Sequence, residues 1–333
     1  MDKILVTGSS GGIGSVLVPI LCARGYKVFG LDLKDPIDPL EDPNFSFYKG
    51  SINNVSDLLG AVKSEIDYVI HLAAISSLPE CEANSVLAME TNFIGTINLV
   101  TFFTDSNIKG FVNASTSAIY ENETTFPFVE SSICDPNLIY SQSKINSENF
   151  LIAQKNNRNF PSVSLRFFNV IGPNQDYNRA SPPLLNYIVR EFLAKRRPIL
   201  YAKGEQGRDY ISVYDVCEAV IESMKLCSLE DSIFNICSGD TISVKEIVQI
   251  IQQSMKCEIE PVYRDPHLLW EHYSSLFDGN FPLRELVVQK ETLKKSVGDP
   301  SRFISATSWR VKFPARDMIP SICSDAIKFI SGR

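Results

Sequence analysis

The chain has 333 residues, room for one large or two smaller domains at roughly 100–200 residues each. Hydrophobic residues make up 44% and charged residues 21%, which supports a full core and excludes a disordered polymer. The net charge of −7 offers no general electrostatic attraction for nucleic acid or an anionic membrane, so no nucleic-acid or membrane partner is expected. Short apolar runs predict strands at 3–7, 27–32, 45–49, 68–72, 110–115 and 162–168. Helical periodicity between them predicts helices at 13–24, 55–64, about 82–104 and about 137–156. Such alternation builds an α/β fold with a doubly wound parallel sheet covered on both faces.

After Gly172-Pro173 the texture changes. Helices are expected at 180–195, 213–224, 244–254 and near 316–330, with short strands at 199–201, 210–212 and 233–236. The stretch 261–283 is aromatic-rich and irregular. A smaller α+β lobe beside the sheet is therefore expected, with a ligand cleft between the two. The first lobe is taken as 1–170 plus about 213–240, and the second as about 171–212 plus 241–333.

Eight scattered cysteines form no CxxC pair and read as free thiols in a reducing compartment. The three histidines, His71, His267 and His272, lack the spacing of a helical metal pair, so no metal site is expected. The N-terminus lacks the pattern of a signal peptide, and no run of about 18 apolar residues is evident. These features predict a cytoplasmic protein.

The first strand runs into Thr7-Gly8-Ser9-Ser10-Gly11-Gly12-Ile13-Gly14 and then a helix. Glycines at 8, 11 and 14 allow a tight turn, close approach of backbone to a pyrophosphate, and close helix–strand packing. The free N–H groups of the helix N-terminus then face phosphate. Asp32 ends the second strand, 18 residues past Gly14. A carboxylate there accepts from ribose hydroxyls and repels a 2′-phosphate, which favours NAD over NADP.

Tyr140-Ser141-Gln142-Ser143-Lys144 puts a phenol and an ammonium at i and i+4 on one helix face. The ammonium stabilises the phenolate and makes Tyr140 a usable proton acceptor. The strand at 110–115 opens into Thr116-Ser117-Ala118-Ile119-Tyr120, a hydroxyl-rich turn at the strand end where open α/β sheets hold ligands.

With these blocks the chain resembles the extended short-chain dehydrogenase/reductase family, in its NAD-dependent nucleotide-sugar epimerase/dehydratase branch. The matching segments are TGSSGGIG at 7–14, HLAA at 71–74, Asn92 in NFIGT, NASTSAIY at 113–120, YSQSK at 140–144, RFFNVIGP at 166–173 and GRDYISVYDV at 207–216. A weaker echo is GDPSRFISATSW at 298–309. The resemblance implies a Rossmann sheet and a catalytic set of Thr116, Tyr140 and Lys144. It implies cofactor contacts at Gly8, Gly11, Gly12, Ile13, Gly14, Asp32, Ser51, Ile52, Leu72, Ala73, Ala74, Asn92, Ser115, Tyr140, Lys144 and Phe167. Substrate contacts would come from Thr116, Asn169 and Arg208, with Arg284 as a second phosphate partner. The implied partners are NAD, a nucleotide-diphosphate sugar and a second copy of the chain.

Three positions depart from the family's pattern. Ser51 stands where an Asp often contacts adenine, Glu121 where Gly is frequent, and Lys203 where Asp is common. The family's 4,6-dehydratases carry Thr-Asp-Glu at the active turn, whereas this chain has Thr116-Ser117-Ala118. The resemblance therefore implies a 4-epimerase acting by transient oxidation at C4. The alternatives are a nucleotide-sugar reductase or dehydrogenase with net redox, a 4,6-dehydratase, and a catalytically dead NAD-binding regulator.

Overall fold

The computed structural model describes residues 1–36, 40–174 and 181–330. The first half forms strands β1 (Lys3–Thr7), β2 (Lys27–Asp32), β3 (Phe45–Lys49), β4 (Tyr68–His71), β5 (Gly110–Thr116) and β6 (Ser162–Phe167). Its helices are α1 (Gly14–Ala23), α2 (Val55–Ala61), α3 (Leu78–Ala83), α4 (Ser85–Met89), α5 (Gly95–Phe103) and α6 (Ile139–Arg158). The second half adds β7 (Asn169–Ile171), α7 (Leu184–Leu193), β8 (Ile199–Tyr201), β9 (Gly207–Ser212), α8 (Val213–Ser223), β10 (Ile233–Ile236), β11 (Thr241–Ser243), α9 (Val244–Met255), β12 (Val262–Arg264), α10 (Glu285–Leu293), α11 (Ser301–Ala306) and α12 (Ala315–Ile330).

Seven strands form one sheet in the order β10-β6-β5-β4-β1-β2-β3, with every pair parallel. Every residue of β5 and β6 is buried, which is why these central strands read as unbroken runs. Strand β3 has only half-buried and exposed positions, as an edge strand does. After β9 the chain returns to this sheet: α8 packs on α1, and β10 pairs with β6. Helices α7, α9 and α12 share a separate apolar cluster with β9 and β11, in which Ile188, Ile247, Ile251, Ile319 and Ile322 interlock.

Several expectations are corrected. The single helix expected at 82–104 is three helices with a π-helical turn, Glu90–Ile94, between α4 and α5. Asn84, at φ −133° and ψ 58°, separates α3 from α4. The continuous stretch Ser85–Phe103 is long and apolar enough, by length and composition, to cross a membrane, against the expectation that no such segment existed. Ala88, Asn92, Thr96 and Leu99 on its inner face are buried, and α4 and the π-helical turn pack against α6. Val86, Leu87 and Ile94 on its outer face are exposed. Helix α7 begins at Leu184; the expected start at Ala180 lies outside the described residues.

The aromatic-rich stretch folds as β12 and two 3₁₀ turns, and it packs through Trp270 and Leu276 onto Leu138 at the start of α6. None of the eight cysteines is in a disulfide, and six are buried. Burial pushes the thiols of Cys217, Cys227 and Cys323 up to about 12, so these groups are packing elements rather than nucleophiles. Among the described residues no group of three metal-ligating side chains occurs.

Candidate active site

Gly8 occupies the left-handed region (φ +73°) directly after β1. A Cβ there would lie 2.6 Å from the Ala73 nitrogen and 2.8 Å from the Leu72 carbonyl carbon. The loop after β4, Leu72 to Ala74, therefore sits flush against the turn, held by Leu72 N–H donating to the Thr7 carbonyl at 3.0 Å. A Cβ on Gly14 would lie 2.2 Å from the Gly8 carbonyl oxygen, so α1 starts hard against the loop. Gly11 donates to that same carbonyl at 3.1 Å, and Gly11, Gly12 and Ile13 form the outer edge. The N-cap Ile13 supplies no side-chain acceptor to α1. The hydroxyls of Ser9, Ser10 and Ser15 are buried without a partner in the chain. A closely packed loop, an uncapped helix and three unpartnered hydroxyls fit a phosphate-bearing ligand.

Asp32 ends β2 beside this loop. Its carboxylate accepts from Ser10 N–H and Lys34 N–H, each at 3.0 Å, leaving lone pairs for a ribose. Ser51 donates its N–H to Asp57 at 2.8 Å, and its hydroxyl oxygen accepts from Asn53 N–H. Ile52 is different: it is buried beneath α5, where a Cβ on Gly95 would lie 2.4 Å from its side chain. Phe167 is likewise buried in the core cluster beside Leu165 and Val163.

Two further side chains named from the sequence are tied into the protein. Asn92 sits in the π-helical turn, and its amide is already consumed. It donates to the Ile75 carbonyl (2.9 Å) and the Ser143 hydroxyl (3.0 Å) and accepts from Ile75 N–H (2.8 Å). With both donor hydrogens engaged, the Asn92 side chain braces the β4 loop against α6. The Ser115 hydroxyl donates to buried Glu148.

Thr116 terminates β5 and caps the 3₁₀ turn Ser117–Tyr120, accepting from Ala118 N–H at 3.1 Å. Its own hydrogen remains available to a ligand. Tyr140 is half-buried in the first turn of α6, and Lys144 follows one turn later. The Lys144 ammonium donates to the Ala114 carbonyl at 2.8 Å, two residues before Thr116. Burial lowers its pKa to about 8, partly opposed by the Glu148 carboxylate. Thr116, Tyr140 and Lys144 thus lie at the C-terminal end of β5 and on α6, with β4 between β5 and the strand that carries the glycine loop.

Asn169 and Arg208 lie on neighbouring strands β7 and β9, where Asn169 donates to the Asp209 carbonyl at 2.9 Å. Arg208 donates through Nη2 to the Glu291 carbonyl (2.7 Å) and carboxylate (3.3 Å), while Nη1 is buried without a partner. Arg284 is exposed at the start of α10, the helix that carries Glu291, and borders a groove with Glu82, Leu138 and Phe281.

The cation that neighbours Arg208 is Lys294, whose pKa is lowered by burial, with Glu291, Arg208 and Glu121 as its charged neighbours. Sequence reasoning missed it; its place four residues ahead of Gly298-Asp299 was the available signal. Asp209 was also missed. Its buried carboxylate accepts from Ser238, Gly239 and Gly298 and so binds the β10–β11 turn to the late GDPSR segment. Burial raises its pKa to about 6 against these hydrogen bonds.

A Gly-rich β1–α1 turn, an acidic end to β2 and a Tyr/Lys pair at the sheet's C-terminal edge define a dinucleotide-dependent enzyme of the Rossmann class. The chain belongs to the NAD dependent epimerase/dehydratase family, whose profile matches residues 4–237. NAD is accordingly its cofactor, and the cradle around Gly8 and Asp32 fits it. A GDP-6-deoxy-D-talose 4-dehydrogenase from Aggregatibacter actinomycetemcomitans is 30% identical over 306 residues, spanning 91% of this chain and 90% of that one. The fold is similar to a UDP-glucose 4-epimerase from Thermotoga maritima solved with UDP-glucose (26% identity, TM-score 0.82, covering 98% and 99% of the two chains). It is equally similar to a UDP-N-acetylglucosamine 4-epimerase from Methanobrevibacter ruminantium M1 in complex with UDP-N-acetylmuramic acid (25% identity, TM-score 0.82, covering 100% and 99%).

Proposed function

We propose that this protein is an NAD-dependent nucleotide-sugar 4-epimerase. The observation that carries the reading is the constellation of Thr116, Tyr140 and Lys144, with Ser117 and Ala118, rather than carboxylates, following Thr116. A dehydratase needs an added acid and base for elimination; an epimerase does not. Gly8, Gly11, Gly12, Ile13 and Gly14 would hold the cofactor pyrophosphate, Asp32 the adenosine ribose, and Lys144 the nicotinamide ribose. NAD, when bound, would supply the hydride acceptor for C4 and, once reduced, the hydride donor for the opposite face.

The chain's own groups handle the proton. Thr116 donates to the sugar O4 and orients it. Tyr140 takes the 4-hydroxyl proton and gives it back once the ketone has turned over. The Lys144 ammonium lowers the cost of the phenolate. Arg208 and Asn169 receive the substrate diphosphate, the guanidinium with a free Nη1 as a fork for phosphate oxygens. The exposed apolar residues Val86, Leu87 and Ile94 on a helix of this length support a homodimer through that face. Eight cysteines without a disulfide support a cytoplasmic location.

The test is to incubate the NAD-loaded protein with UDP-, GDP-, CDP- and dTDP-hexoses and follow the sugar protons by NMR. Inversion at C4 without net change in NADH is expected, and Tyr140→Phe should abolish it while NAD stays bound. The relative that is a 4-dehydrogenase favours a second reading, net oxidation at C4. Stoichiometric NADH accumulating with a 4-keto sugar would select that reading.

A further inference from the structure

A helix has N–H groups in its first turn with no partner inside it, and a side chain at the N-cap normally serves one of them. Helix α6, which carries Tyr140 as its second residue, has Leu138 at the N-cap and no side-chain cap of its own. Two carboxylates from elsewhere in the chain take that place. Glu121 Oε2 accepts from both Asn137 N–H and Leu138 N–H at 3.0 Å. Glu82 Oε1, from α3, accepts from Ile139 N–H at 2.7 Å.

Glu121 directly follows the 3₁₀ turn Ser117–Tyr120 that Thr116 caps. It therefore joins two segments across the cleft edge: one begins five residues earlier at Thr116, and the other reaches Tyr140 two residues after Leu138. A second tie, Ser141 hydroxyl to the Ala118 carbonyl at 3.3 Å, runs between the same two segments. Carboxylates at this end of a helix also complement its dipole.

We propose that Glu121 is a positioning residue, a strut that sets the separation of Thr116 from Tyr140, with Glu82 as a second support from α3. Neither carboxylate touches the reacting atoms; both act through the first turn of α6. The inference rests on the reading of Thr116 and Tyr140 as the two groups that meet the sugar hydroxyl. Its structural part stands on the hydrogen bonds alone.

The test compares wild type with Glu121→Ala and Glu121→Gln, all loaded with NAD. Hydrogen exchange read by mass spectrometry reports residues 137–144, with α9 as an internal control. Glu121→Ala should speed exchange in 137–144 at least tenfold while α9 stays unchanged. Glu121→Gln keeps a carbonyl acceptor and should restore most of the protection. With UDP-glucose as probe, Glu121→Ala should lower kcat at least tenfold with KM within threefold, and Glu121→Gln should recover kcat.

Exchange in 137–144 unchanged by Ala, exchange raised equally in α9, or Gln no better than Ala would each overturn the strut. A kcat unaffected by Ala would overturn its catalytic part. A wild type inert toward UDP-glucose would count against that substrate for the proposed enzyme, and the exchange arm would still decide the strut.

Discussion

Arg166 grips both carboxylate oxygens of Glu148, with Nη2 2.8 Å from Oε2 and Nε 3.1 Å from Oε1, and the pair is buried behind the active turn. Around it, Ser115 donates to Glu148, and Arg166 Nη1 donates to the Tyr120 hydroxyl at 2.7 Å. Glu148 lies one helical turn past Lys144, so the pair fastens α6 to both ends of the Thr116 turn.

Breaking this pair from one side should be costly, because it strands a charge in a dry site. Glu148→Ala is expected to lose about 3–5 kcal/mol of unfolding free energy, against ~1 kcal/mol or less for a typical exposed pair such as Lys225–Glu222. Urea denaturation checks it. A loss for Glu148→Ala no larger than for Glu222→Ala would mean the network is not the anchor its geometry implies.

Lys144 places a buried ammonium in the cleft, and burial holds its pKa down at about 8 from 10.5. Between these values the unfolded chain binds the proton that the folded chain has released. This group's contribution to stability therefore rises with pH through the window from about 8 to 10.5. Lys144→Met removes the titration. The stability of Lys144→Met relative to wild type is expected to be most favourable at pH 7 and to shrink by pH 10, in the NAD-free proteins. Denaturant midpoints at the two pH values measure this, and a pH-independent difference would refute it.

His71 shows the same logic at acid pH. Its ring lies between Thr7 (Nδ1 to Oγ1, 2.8 Å) and Thr96 (Nε2 to Oγ1, 3.1 Å). Thr96 spends its own hydrogen on the Asn92 carbonyl, so Nε2 carries the proton and Nδ1 accepts from Thr7. Burial, assisted by the Lys144 charge, drives the pKa from 6.5 to about 3. Below pH 6.5 the unfolded chain gains a proton that the fold refuses, so stability falls as pH drops from about 6.5 towards 3. His71→Gln should show a shallower acid loss and sacrifice roughly 1–2 kcal/mol at pH 7 for the broken chain of hydrogen bonds. Thermal unfolding at pH 4.5 and pH 7 separates the two effects.

Much of this was legible from residue spacing, and what was not has a physical reason. Buried parallel strands read as apolar runs, so β1 to β6 and β10 were readable within two residues. Strands β7 and β11 have three residues each and exist through pairing with β9, which no local pattern announces. Helix α10 buries only Val288 and Thr292, too few positions for a readable stripe. In the site, the glycine loop, Asp32, Thr116, Tyr140 and Lys144 declare themselves over short spans. Residue type does not reveal a side chain's partner, so the bonds of Ser115 to Glu148 and of Asn92 to Ile75 and Ser143 were not legible. Glu121 and Glu291 meet their partners 17 and 83 residues away, beyond any spacing rule.

If Arg208 receives the substrate diphosphate as proposed, its contact with Glu291 stands in the way of that anion. The guanidinium spends Nη2 on the Glu291 carbonyl and carboxylate, while Nη1 stays buried and unpartnered. A group with that much unused donor capacity beside a second cation, Lys294, is primed for an anion with several oxygens. Glu291 is then a competitor already in place, and an incoming diphosphate meets its negative charge. Glu291→Gln removes the charge and keeps a carbonyl oxygen. It should tighten UDP or GDP binding by about tenfold, on the order of 1.4 kcal/mol. Arg208→Gln should weaken binding by at least as much, leaving NAD affinity unchanged because the glycine loop lies on another element. Calorimetric titration of the NAD-loaded proteins reads both. Tighter binding in neither Glu291→Gln nor Glu291→Ala would show that the carboxylate orients Arg208 instead of competing for it.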